Sequence, residues 1–254
     1  MMRSLTRFTQ WAKSMASGFV CLGLSVSAMA QQTPSEAEGT AWSFKLTPSL
    51  YATQNETSAA DVNLRGNLGN HTTWVGQYVR GNQYQQTRWG YEYNANFDWG
   101  QMVPSLQLAS KGFAGASLNF QIGGPTYVIT GLGRTNLKDY YNLTFDPNDS
   151  YVIGFGTKVI DKHVFNLFAV KDNRLKTGQS VTHAVWRWQL NDSERCVIDV
   201  SHKTGSLSEG LAVIHGNGLS ISYDFGQHFV KLAKEQKVNF SEHDQVRISA
   251  GLRF

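Results

Sequence analysis

Residues 246–254 read Val246-Arg247-Ile248-Ser249-Ala250-Gly251-Leu252-Arg253-Phe254, and this closing stretch decides the fold. Val246, Ile248, Ala250, Leu252 and Phe254 fall on one side of an extended chain, and Arg247, Ser249, Gly251 and Arg253 on the other. At the open edge of a soluble sheet, such a strand would present an apolar face and unpaired backbone groups, a template for aggregation. A strand that closes a barrel in lipid has no open edge, because its backbone pairs on both sides and its apolar face meets hydrocarbon.

The same period of two recurs upstream. Over residues 88–99, Trp89, Tyr91, Tyr93, Ala95, Phe97 and Trp99 share one face, and Arg88, Gly90, Glu92, Asn94, Asn96 and Asp98 share the other. The run exceeds the about 9–11 residues that a tilted barrel strand needs to cross a bilayer. Trp89 and Trp99 are expected near the two interfaces, where indoles favour the headgroup level. Leu46 and Leu50, Val62 and Leu64, Leu118 and Ile122, Ile153 and Phe155, Trp186 and Trp188, and Leu219 and Ile221 mark further strands of the same grammar. At 73–80, 127–134 and 229–234 the two faces are not separable. Pro48 and Pro104 each remove a ladder hydrogen bond, so they are expected near strand ends or bulges.

Connections alternate in kind. Short turns stand at Gly69-Asn70-His71, Asp98-Trp99-Gly100, Gly123-Gly124-Pro125, Asp161-Lys162-His163, Asn191-Asp192-Ser193 and Gly226-Gln227-His228. Longer polar segments stand between them, the longest at 135–150. This predicts an all-β fold: a closed antiparallel transmembrane β-barrel of about 12–14 strands with up-and-down topology. The segment 135–150 is expected to be an exterior loop. Within it, Asp139-Tyr140-Tyr141 reads as an exterior aromatic girdle or a surface patch, and Asp146-Pro147-Asn148-Asp149-Ser150 reads as an Asx/Pro turn.

Residues 1–13 carry Arg3, Arg7 and Lys13 and no acidic group. Residues 15–26 are mostly apolar, and Ala28-Met29-Ala30 supplies a cleavage site. Residues 1–30 are therefore expected to be a cleaved signal peptide that takes Cys21 with it, leaving 31–254 as a single barrel domain with Cys196 alone. Setting aside those three cations brings the 23 basic residues within one of the 19 acidic ones, so the pI near 9.0 is no argument for a nucleic-acid partner. Nor does a mean hydropathy of −0.33 exclude a membrane protein, since lipid-facing and lumen-facing residues average out.

The terminal Phe254, with Leu252 and the alternating residues before it, resembles the C-terminal assembly signal of Gram-negative outer-membrane β-barrel proteins. That resemblance implies export through the inner membrane, periplasmic chaperones, insertion by the barrel-assembly machinery, and contact with outer-membrane lipid and lipopolysaccharide. It implies residence in the outer membrane; oligomeric state stays open.

The inward faces supply the candidate site. Arg65, Arg88, Glu92, Asn94, Asn119, Lys158, His183, Arg187, Asp199 and Arg247 are the expected lumen-lining residues, with Lys45, Asp61, Asp98, Lys203, Asp224 and Arg253 among their neighbours. So many charges must either meet water in a pore or pair and plug it. The expected function is a narrow channel for small polar or anionic solutes. The alternatives are a structural or surface-interaction barrel with a plugged lumen, and a lipid-modifying hydrolase. For the last, His202 follows Ser201 directly, which sends the two side chains to opposite faces, and His183 has no local carboxylate in sequence. No metal-spaced Cys/His set and no phosphate-binding glycine loop is present, so no catalytic residue, metal or cofactor is expected.

Overall fold

The computed structural model describes residues 41–143 and 146–254. The expected signal peptide at 1–30 lies outside the described residues. The strands are β1 (Ser43–Thr53), β2 (Ala59–Leu68), β3 (His71–Arg80), β4 (Tyr84–Tyr93, continued past Asn94 by Ala95–Phe97), β5 (Gly100–Ala109), β6 (Phe113–Gly123) and β7 (Thr126–Thr135). They continue as β8 (Ser150–Thr157), β9 (His163–Asp172), β10 (Ser180–Asn191), β11 (Glu194–Gly205), β12 (Ile214–Phe225), β13 (His228–Glu235) and β14 (Gln245–Arg253). Each pairs antiparallel with its sequence neighbours, and β1 pairs with both β2 and β14. The sheet closes as a barrel of 14 strands, the upper end of the expected range.

Closure is made by the terminal residue itself. The N–H of Phe44 donates to the carbonyl of Phe254 at 2.7 Å, and the N–H of Phe254 donates back at 3.0 Å. The alternation of connections holds around most of the barrel; the exceptions are the three-residue links 81–83 and 110–112 at the loop end, which are shorter than the five-residue link 158–162 at the short-turn end. Two-residue turns such as Gly69-Asn70 join strands at one end, where Gly69 takes a φ of +52° that a tight hairpin requires. The longer segments, 136–149 and 206–213 among them, gather at the other end.

Both prolines correct the sequence reading. Pro48 and Pro104 lie inside strands, and the ladder is interrupted beside them without a register shift. On the β1–β14 side, pairing passes from Leu46↔Leu252 to Ser49↔Ser249 and skips Pro48. On the β4–β5 side, it passes from Glu92↔Ser105 to Ala95↔Met102 and skips Pro104. With no N–H to donate, Pro104 breaks the ladder opposite Tyr93, and β4 is divided there.

Alternation puts apolar side chains outside. Leu50, Leu106, Ile153, Leu232 and Ile248 are more than half exposed on the outer surface, whereas Glu92 and Lys203 are 1% and 0% exposed inside. An apolar outer face over a charged interior is the arrangement of a lipid-embedded barrel. Aromatic side chains gather outside at the short-turn end. Trp42, Phe44 and Phe254 stack in succession, as do Phe97 with Trp99 and Trp186 with Trp188 and His163. Trp74, on a strand whose faces the sequence did not separate, packs inward. Its cross-strand partner is Gly90, and the indole fills the space a side chain there would occupy.

Candidate functional site

The interior has three kinds of wall. On β2 to β6 it is polar and internally paired. Arg88 on β4 binds Asp61 on β2, and Arg65 reaches Glu92 at 2.6 Å. Ser105 and Ser117 share a hydrogen bond at 2.6 Å, and Asn119 donates to Ser117 at 3.4 Å. These pairs lie within one strand or between strands that are neighbours or next neighbours, so they are formed along the wall.

On β7 to β10 the inner wall is apolar. Tyr127, Ile129, Val152, Phe168, Val170 and Val185 form one buried cluster, and the Tyr127 hydroxyl donates to Asn166 at 2.7 Å. The sequence reading missed this wall. Its signal is a run such as Val164-Phe165 to Val170, apolar on both faces, which blurs the period of two.

From β10 round to β1, toward the short-turn end, the wall is basic. Arg187 on β10, Arg195 on β11, Lys231 on β13, Arg253 on β14 and Lys45 on β1 line it; Asp224 on β12 stands among Arg195, Arg253 and Lys45, and Asp199 on β11 and Glu235 on β13 are the carboxylates nearer Lys231. Arg195 binds Asp224, and Arg253 shares it at 3.0 Å. The Lys45 ammonium lies 4.0 Å from the centre of the Phe229 ring. Nε and Nη2 of Arg187 are buried with no hydrogen-bond partner. Lys45, Lys231 and Arg253 keep partial exposure within the barrel.

The long segment between β7 and β8 lies at the loop end of the barrel, and its residues 140–143 and 146–149 are largely buried there. Tyr140 and Tyr141 turn into the barrel mouth, which overturns their reading as an exterior girdle. Tyr140 is 5% exposed and packs on Phe113 of β6 at 4.5 Å, and this burial pushes its phenol above the usual range. Tyr141 stacks on Tyr78 of β3 at 4.5 Å, and its N–H donates to the Gln86 side chain at 3.2 Å. On the far side, Arg247 of β14 donates to the carbonyl of Leu143 at 3.0 Å. The base of the segment is fixed by Asp149, which accepts from the Thr135 hydroxyl at 2.7 Å and from Arg174 at 2.8 Å.

His183 ties this segment to the wall. Its Nε2 lies 2.9 Å from Asp146 of the segment and its Nδ1 lies 3.0 Å from Asp199 of β11, while Phe168 stacks on the ring at 4.9 Å. A doubly protonated imidazole can donate to both carboxylates. Neither partner was visible from His183 in sequence. Asp199 faces the neighbouring Val185 in register, and Asp146 arrives from a loop read only as a turn.

Of the lining candidates, Arg65, Arg88, Glu92, Asn119, His183, Arg187, Asp199 and Arg247 face the interior. Two are corrected. Lys158 lies beyond the end of β8 in an exposed turn, where its N–H donates to Pro125 at 2.8 Å. Asn94 sits at the break in β4 on the barrel rim, held to Asn70 of the β2–β3 turn at 2.8 Å. Asp98, in the turn after β4, is likewise exposed.

No family model and no curated protein matches the chain. Among solved structures it is similar to the outer membrane protein Omp33 of Acinetobacter baumannii, at 10% identity and a TM-score of 0.54 over 85% of this chain and 100% of that one. The fold is that of a Gram-negative outer-membrane β-barrel protein. OmpF of Salmonella typhi, solved with daunomycin, matches the barrel at 9% identity and a TM-score of 0.49 over 84% of this chain and 97% of that one. OccK5 of Pseudomonas aeruginosa matches it at 6% and 0.47 over the same shares. At such identities the likeness concerns the fold.

Proposed function

We propose that the barrel is an outer-membrane channel for small anions, with segment 136–149 as its constriction. The observation that carries the reading is the excess of cations on the basic wall: of Lys45, Arg187, Arg195, Lys231 and Arg253, only Arg195 and Arg253 are ion-paired among the described residues, and they share one carboxylate, Asp224. Cations left in excess inside a low-dielectric shell favour entry of anions and disfavour cations. Lys45, Lys231 and Arg253 supply successive weak sites along β1, β14 and β13, an arrangement that lets an anion enter and leave.

The paired wall on β2 to β6 and the inserted segment favour a second reading, a barrel filled by its own loop. The hydrolase reading gains less. His183, the interior histidine with carboxylate partners, has both ring nitrogens engaged by Asp146 and Asp199, so neither is left to activate a nucleophile.

Current through the purified protein in a planar bilayer tests the proposal. Steps of current that reverse at the anion potential in a salt gradient support it. Absence of current from wild type and from a variant lacking residues 138–148 favours the filled barrel.

A further inference from the structure

We propose that the outer surface at the loop end of β7 to β13 is a binding site for a phosphate-bearing lipid headgroup. A full charge facing lipid is tolerated only at headgroup level, so the outward-facing charges report what headgroups they meet. At the loop end these are Arg134 on β7, Lys171 on β9 and Lys234 on β13, all exposed. His202 on β11 and His215 on β12 lie between them, with their rings stacked at 6.3 Å. Among the described residues, the outward strand carboxylate is Glu194, at the opposite, short-turn end of β11.

The charges form one strip because of the register. His202 pairs with Thr182 on one side and Asn217 on the other, and its Nδ1 lies 2.9 Å from the Asn217 side-chain oxygen. Lys234 pairs with Leu219, two residues along β12 from Asn217. From β9 to β13 is four strand spacings, roughly 19 Å. Flexible lysine side chains at both ends can close much of that span on a headgroup carrying more than one phosphate.

The strip is also local. At the same level on the rest of the circumference stand Val246, Ala52, Ala60 and Val79, and Lys234 pairs directly with Val246. Among the outward-facing described strand residues at this level, cations on one arc, uncharged residues on the other and no carboxylate are the charge complement of an anionic headgroup. The site is on the outside of the barrel and does not depend on the channel reading.

The test is titration of the full-length barrel in a non-ionic detergent with phosphatidic acid, and with diacylglycerol of the same acyl chains, read by native mass spectrometry. Phosphatidic acid is expected to bind and diacylglycerol not. Each lysine near an anionic surface is worth about fivefold, so Lys171→Gln with Lys234→Gln weakens binding about 30-fold. Lys171→Arg with Lys234→Arg retains it, and Lys158→Gln with Lys162→Gln, at the other end, leaves it unchanged. Heat-modifiable migration confirms that each variant is folded. Equal binding of the two lipids, equal binding by wild type and the double Gln variant, or displacement by inorganic phosphate at the lipid's own concentration would each overturn the proposal.

Discussion

Phe44 and Phe254 join β1 to the end of β14: their backbones exchange two hydrogen bonds and their rings stack 5.7 Å apart on the outer surface. The last residue is therefore a member of the first strand's ladder. Its loss unpairs Phe44, exposes a sheet edge to lipid and removes part of the aromatic belt.

Deleting Phe254, or Phe254→Asp, is expected to lower the amount of heat-modifiable, membrane-inserted protein far more than the amount exported. Fractionation of cells expressing each variant measures both quantities. Normal levels of folded protein in the outer membrane of the deletion strain contradict this.

Arg88 and Asp61 form a buried pair with both side chains 5% exposed. Arg88→Ala strands the Asp61 carboxylate, at an expected cost of about 3–5 kcal/mol. Arg88→Gln combined with Asp61→Asn removes the charge from both partners and is expected to recover most of it. Leu106→Arg, on the outer face, is expected to cost about 2–4 kcal/mol by placing a charge in lipid. Denaturant unfolding in lipid vesicles compares the three. A stable Leu106→Arg protein beside an undisturbed Arg88→Ala protein would mean that the faces are inverted.

Pro104→Ala restores an N–H opposite Tyr93 and should close the gap in β4. The gain expected from one ladder bond is about 1 kcal/mol, read as a higher unfolding midpoint and slower amide exchange at the strand break. A lowered midpoint would show that the interruption has another cause.

The barrel was legible because its determinants are local. A period of two along β14 or β4 is written in consecutive residues, and hairpin turns such as Gly69-Asn70 announce themselves by composition. Arg65, Arg88, Glu92, Asn119 and Arg187 were placed by the same parity. What parity could not reach is anything decided by a partner distant in sequence. Tyr140 and Asp146 look like loop residues until β6 and β10 stand beside them. The inner wall from Tyr127 to Val185 was hidden because those strands are apolar on both faces. Lys158 kept the right parity, but β8 ends one residue before it.

Removing residues 138–148 is expected to leave the barrel folded, since the segment contributes no strand, and to raise conductance several-fold if it constricts the path. Asp146→Ala, which releases the segment from His183, should have a smaller effect in the same direction. Unchanged conductance in the deletion variant would place the segment outside the conducting path.

The most direct test of the account is the reversal potential of single channels across a potassium chloride gradient, for wild type and for Arg187→Glu with Lys231→Glu. The basic wall predicts chloride preference in wild type and a shift toward potassium when the two charges are inverted. A wild-type channel that prefers potassium, or one whose selectivity ignores the inversion, would contradict the claim that Lys45, Arg187, Arg195, Lys231 and Arg253 line the path.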